Sequence, residues 1–135
     1  MKNQPIGIFD SGVGGLTVAQ AIKQILPNES LIYFGDTAHL PYGDKSAEAI
    51  KSYSQRITEF LLEHNSKVVL VACNSASSSA FDFLKKKFEG KAILLDVIDP
   101  VVDYLATRNY NKIGVIGTKR TISSGTYEKK IREKS

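Results

Sequence analysis

An α/β fold built on a doubly wound parallel sheet with flanking helices is predicted by three features of the sequence. Short apolar runs of strand length alternate with longer stretches of helical periodicity along the whole chain. Each run breaks at its C-terminal end into glycine or small polar residues. The run Val68 to Ala72 is apolar throughout, which is how a strand buried on both faces reads. Strands joined through helices run parallel, so their C-terminal ends lie along one edge of the sheet.

The elements follow in order. Ile6–Phe9 forms a short strand that enters the turn Asp10-Ser11-Gly12-Val13-Gly14-Gly15. A helix from Leu16 to Leu26 places Val18, Ala19, Ile22, Ile25 and Leu26 on one side, and Pro27-Asn28 ends it. Leu31–Phe34 is the second strand. The loop 35–44 follows, its glycines and Pro41 marking an irregular surface path. Ser46 opens a long amphipathic helix carrying Ile50, Tyr53, Ile57, Phe60 and Leu61 inward, and His64 closes it as a cation at the helix end. After the strand that ends at Cys73, Phe81, Phe83, Leu84 and Phe88 recur at roughly helical spacing, and Asn74 or Ser75 is the expected N-cap. Ala92–Leu95 is the fourth strand. Asp99 reads as an N-cap ahead of a first-turn proline, Lys112–Gly117 as a fifth strand, and residues 118–134 as a loop and a final helix.

Length and composition suit one ordinary soluble core, with no repeat or low-complexity segment. No apolar stretch approaches the length of a bilayer span and no leader-type segment precedes the first strand, so a cytoplasmic location without a membrane partner is expected. One cysteine forms no internal disulfide. The net charge of +4 is concentrated late: seven Lys or Arg against two Glu fall between residues 112 and 135, leaving the rest near neutral. Such a terminal helix is a solvated face more often than a phosphate-binding surface, so a nucleic-acid partner is not expected.

Chemistry is expected where the strands end. Asp10, Asp36, Cys73 and Thr118 each follow a strand, and the topology brings all four to one edge. A thiol at a helix N-terminus has its pKa lowered and the same terminus attracts anions. Cys73 also admits a plain reading, as a small buried core residue. Gly12-Val13-Gly14-Gly15 imitates a dinucleotide fingerprint, but Thr17 stands where its third glycine belongs and Asp10 would repel a pyrophosphate. A cysteine phosphatase needs an arginine shortly after the nucleophile, where Ser77, Ser78 and Ser79 stand. His39 lies in the loop before Pro41 and is the one histidine near enough to be weighed as a partner for the thiol. No metal is expected from a single thiol without paired ligand spacing.

Three segments carry a resemblance: Gly7–Val18, then Tyr33–Ala38 with Pro41-Tyr42-Gly43, then Ala72-Cys73-Asn74-Ser75-Ala76-Ser77. In this order they resemble glutamate racemase, of the aspartate/glutamate racemase superfamily. The resemblance implies cofactor-independent interconversion of L- and D-glutamate by two acid/base groups on opposite faces of the α-carbon, supplying D-glutamate for peptidoglycan. It implies that Cys73 is one of these groups and that Asp10 assists it. It places Asp10, Ser11, Pro41, Tyr42, Gly43, Asn74, Ser75, Thr118 and Thr121 around the substrate, glutamate being the small-molecule partner. Such a site needs preorganised donors, because the α-proton leaves next to a carboxylate that is already negative.

Two departures from the resemblance shape the remaining expectations. Ser75 stands where the family has Thr, which keeps the hydroxyl. The family's second Cys-Thr-His motif, source of the opposite base, is absent, so the chain is similar to an N-terminal portion of a racemase. Residues 1–98 are then expected to form a first α/β lobe lacking the segments that complete it, and 99–135 the start of a truncated second lobe. Exposed sheet edges and helix faces would favour homo-oligomers or other association. Turnover by these residues alone is not expected. An aspartate-type racemase and a non-catalytic carboxylate-binding module stand as alternatives.

Overall fold

The computed structural model describes residues 2–134, so the Met1 and Ser135 ends of the two expected lobes lie outside it. Four strands, β1 (Ile6–Asp10), β2 (Leu31–Gly35), β3 (Val68–Val71) and β4 (Ile93–Asp96), form one parallel sheet in the order β2-β1-β3-β4. The helices are α1 (Leu16–Ile25), α2 (Ala47–Glu63), α3 (Asn74–Lys87), α4 (Asp99–Ala106), α5 (Lys119–Ser123) and α6 (Thr126–Lys134). Single 3-10 turns occupy Thr37–His39 and Tyr42–Asp44.

Side chains alternate across the sheet as the strand period requires. Phe9, Val69, Val71 and Leu94 point to one face, where Ile50, Ile57 and Leu61 of α2 and Ala80, Phe81 and Leu84 of α3 close a core. Ile6, Ile8, Leu70 and Ala72 point to the other, against Val18, Ala19 and Ile22 of α1. Several of these side chains are wholly buried, each stabilising the fold by about 2 kcal/mol. The two faces are not equally covered. Ile93 and Leu95 of β4 stay about half exposed beside α1, and Ile25 and Leu26, expected on the inner side of that helix, are exposed as well. A sheet covered on both faces therefore holds for β1 and β3 and fails at β4.

Local signals account for most helix ends. Ser46 Oγ accepts the Ala49 N–H at 3.1 Å and starts α2. His64 is the C-cap of α2, its Nδ1 2.9 Å from the Phe60 carbonyl. Two caps differ from expectation by one or two residues. Cys73 itself, rather than Asn74 or Ser75, caps α3. Asp99 is the first residue of α4, whose N-cap is Ile98, and its amide donates to Asp96 Oδ1 at 3.1 Å.

The predicted fifth strand at 112–117 is not formed. Its residues carry no regular structure and are exposed, Ile116 at 98%. A β-branched run becomes a strand only when a neighbour satisfies its amides, and among the described residues the sheet ends at β4. Downstream, Gly125 at φ +68° divides the expected final helix into α5 and α6. Three of the four basic side chains of α6 pair with acids: Lys130 with Asp99 at 2.6 Å, Arg132 with Glu128 at 3.1 Å and Lys134 with Asp103 at 3.3 Å. No helix of the described residues is long and apolar enough to cross a membrane.

Candidate active site

In the order β2-β1-β3-β4, the connection after β1 turns one way and the connection after β3 the other, so a crevice opens at the C-terminal ends of these central strands. Asp10 ends β1, and Cys73 follows β3 after a single alanine. The cleft there has a volume of about 770 Å³ and is lined by Asp10, Ser11, Pro41, Tyr42, Gly43, Cys73, Asn74, Ser75 and Thr118. Nine of the predicted residues thus meet in one place. Thr121 stands behind them, its Oγ1 3.0 Å from that of Thr118.

The Asp10 carboxylate is buried and held by the glycine turn. Its Oδ2 accepts the Gly15 N–H at 3.0 Å and the Gly12 N–H at 3.3 Å. A Cβ on Gly15 would fall 2.8 Å from the Asp10 Cβ and 2.9 Å from the Tyr33 hydroxyl, so only glycine lets this amide reach the carboxylate. The glycines of the false dinucleotide fingerprint therefore cradle a side chain of the protein itself.

Cys73 is 6% exposed, and its Sγ accepts the Ala76 N–H at 3.5 Å. The helix N-terminus was expected to lower the thiol pKa, and the net shift is the reverse. Burial pushes the Cys73 thiol up, and the charge of Asp10 adds to this, while the Ala76 amide and the amide and hydroxyl of Ser11 oppose it. The helix end does act on the thiol in the expected direction. Desolvation outweighs it, so in the unliganded cleft the proton stays on sulfur at neutral pH.

Across the cleft, hydroxyls form a chain. Ser75 Oγ and Thr118 Oγ1 lie 2.7 Å apart, and Thr118 Oγ1 caps α5 by accepting the Thr121 N–H at 3.3 Å. Gly43 packs directly against Thr118, a Cβ there falling 2.7 Å from the Thr118 Cβ. Asn74 receives the Tyr127 hydroxyl on its Oδ1 at 2.5 Å.

Asp36 and His39 do not join this cleft. Both Asp36 oxygens contact His39 Nδ1, at 2.9 and 3.0 Å, and Oδ2 also accepts the Tyr42 hydroxyl at 2.5 Å. His39 stacks on Tyr53 at 4.0 Å between ring centroids and lines a separate hollow with Phe34 and Phe60. Its ring therefore serves Asp36 and is unavailable to Cys73. Asp36 still matters to the cleft, because it fixes the buried Tyr42 phenol, which burial and this bond push far above its ordinary range.

Sequence reasoning passed over Asp96 and Tyr127. Asp96 ends β4, so the strand-end rule that selected Asp10 would have selected it. Nothing local marks Tyr127, which reaches the site from α6, more than fifty residues beyond Asn74.

Residues 6–135 match the family model described as Asp/Glu/Hydantoin racemase. The chain is 46% identical over 132 residues to the glutamate racemase of Chlorobaculum parvum, covering 97% of this chain and 48% of that protein. It is 50% identical over 129 residues to that of Corynebacterium diphtheriae, covering 95% and 48%. The structure of glutamate racemase from Francisella tularensis in complex with D-glutamate aligns with a TM-score of 0.93 at 40% identity, covering 100% of this chain and 50% of that one. The chain spans about half the length of the curated relatives it matches. The motifs, the sheet order and these similarities agree, and the chain belongs to the Asp/Glu/hydantoin racemase family.

Proposed function

We propose that this cleft is one half of a glutamate racemase active site, with Cys73 as the acid/base group on one face of the substrate α-carbon. The observation that carries the reading is the convergence of Asp10 and Cys73, from adjacent central strands, on a cleft that also holds Asn74, Ser75 and Thr118. The relatives at 46% and 50% identity are glutamate racemases, which favours glutamate over aspartate as the substrate.

The chemistry follows from the environment of the thiol. A neutral Cys73 can return a proton to a planar carbanionic α-carbon. To remove one it must first lose its own proton, and the ammonium group of a bound amino acid beside Asp10 and Cys73 would stabilise the thiolate that results. Asp10 accepts or positions that proton. The side chains of Asn74, Ser75 and Thr118, with the free amides at the start of α3, supply donors for substrate carboxylates. Pro41-Tyr42-Gly43 walls the cleft on the side of β2.

Inversion needs a second group on the opposite face, and the sequence holds a single cysteine. The 135 residues taken alone therefore bind glutamate without racemising it. In the whole protein the reading is of cofactor-independent racemisation in the cytoplasm, supplying D-glutamate for peptidoglycan. Chiral chromatography after incubation with L-glutamate is expected to find no D-glutamate from these residues alone, and robust turnover would refute the half-site reading. Millimolar glutamate is expected to slow alkylation of Cys73. A non-catalytic carboxylate-binding module would bind glutamate without changing thiol reactivity.

A further inference from the structure

We propose that Tyr33 is a positioning residue: its hydroxyl, bonded to the Gly12 carbonyl, fixes the turn whose amides hold the Asp10 carboxylate beside Cys73. Tyr33 lies on β2, on the face packed by α1, where an apolar ring would satisfy burial alone. Its hydroxyl does something more specific, donating to the Gly12 carbonyl at 2.9 Å. The Gly12 amide of that same residue donates to Asp10 Oδ2. One residue therefore links phenol and carboxylate.

Two clearances serve the same contact. A Cβ on Gly35 would fall 2.5 Å from the Gly12 carbonyl oxygen, so β2 carries no side chain where that oxygen descends. A Cβ on Gly15 would fall 2.9 Å from the Tyr33 hydroxyl, so the second amide donor to Asp10 sits directly above the phenol. The turn is thus tied from below at Gly12 and shaped at Gly15 to reach the carboxylate. Burial, then the charges of Asp10 and Cys73, push the Tyr33 phenol up to about 12, so it stays protonated and donating at neutral and mildly alkaline pH. Tyr33 does not itself line the cleft; it stands behind Gly12 and Asp10, which do, and acts through them.

The proposal rests on the reading of Asp10 and Cys73 as an interacting pair, but its test reads the thiol and not turnover. Iodoacetamide alkylation of Cys73 is followed against pH in the 135-residue chain, in Asp10→Asn, in Tyr33→Phe and in the double variant. Asp10→Asn removes a charge that raises the thiol, and is expected to speed alkylation at pH 8 roughly fivefold. In the Tyr33→Phe background the same change is expected to give less than a twofold gain, because the carboxylate is no longer held in place. Equal gains in both backgrounds overturn the proposal. Should Tyr33→Phe not fold, meta-fluorotyrosine at position 33 keeps the ring and the hydroxyl. Its fluorine resonance is expected to titrate with Cys73 and to lose at least half of that response in Asp10→Asn, and a response unchanged by Asp10→Asn overturns the proposal too. Failure of the chain to racemise glutamate would leave both readouts intact.

Discussion

Asp10 and Asp36 occupy equivalent places in the sequence, each at the C-terminal end of a strand and each before a glycine- or turn-rich segment, yet they meet different partners. Asp10 is held by backbone amides of Gly12 and Gly15 and its charge acts on Cys73. Asp36 is held by the side chains of His39 and Tyr42 and lies outside the cleft lining. The sheet order explains the difference. Asp10 ends β1, a central strand at the point where the winding reverses, and Asp36 follows β2 at the edge. The crevice forms beside the first and not the second. One carboxylate is thus free to work on a neighbour's proton, and the other is consumed in holding a wall of the site.

Removing each carboxylate should separate these roles, with the larger stability loss at Asp36. Asp36→Ala leaves a buried phenol without its acceptor and His39 without its partner, and is expected to cost about 3 kcal/mol in urea unfolding. The pH profile of Cys73 alkylation should hardly move. Tyr42→Phe removes one buried hydroxyl from the same group, for an expected loss of about 1.5 kcal/mol by the same assay. Asp10→Asn should lower stability by less than 1 kcal/mol while changing thiol reactivity several-fold, which corresponds to about 1 kcal/mol in the thiol equilibrium. If Asp36→Ala altered Cys73 reactivity as much as Asp10→Asn does, the division of labour would be wrong.

How much of this was legible follows from what the sequence encodes locally. Strand ends, the Ser46 cap and the helix after Cys73 rest on short-range patterns, and they stand within a residue or so of expectation. Convergence of Asp10 and Cys73 needed only the parallel-sheet rule; the same rule overreached at Asp36, and Thr118 reaches the cleft with no strand before it. Three readings failed because a local pattern carries no information about partners. The run 112–117 has strand propensity and no neighbouring strand to pair with. Ile93 and Leu95 alternate correctly, but nothing among the described residues covers their face. The Cys73 pKa has the opposite sign because depth of burial, a tertiary property, outweighs the helix end, a local one. Tyr33 and Tyr127 escaped for the same reason, since each acts through one hydroxyl on a residue at least twenty positions away.

Asp96 extends the comparison to a third strand-end carboxylate and gives the smallest expected effect. It ends β4 and is 4% exposed, yet only Oδ1 has a donor, the Asp99 amide, while Oδ2 has no hydrogen-bond partner. Burial holds its carboxyl above the ordinary range, and the charge of Asp99 adds to that, against the Asp99 amide and Lys130. The sign of the linkage follows. Because the folded pKa exceeds the unfolded one, the stability tied to this group is fully present below the unfolded carboxylate value and is lost as pH rises through the folded one. Wild type therefore loses it as pH rises from the acid range toward neutrality. Asp96→Asn keeps the acceptor for Asp99 and removes the buried charge, so its melting temperature should exceed wild type by about 2–4 °C at pH 7. That difference should shrink toward zero below about pH 3, where the group is protonated in the folded and the unfolded chain alike. Calorimetry at the two pH values decides it: no difference, or a negative one, at both would mean that the bare oxygen of Asp96 carries no cost.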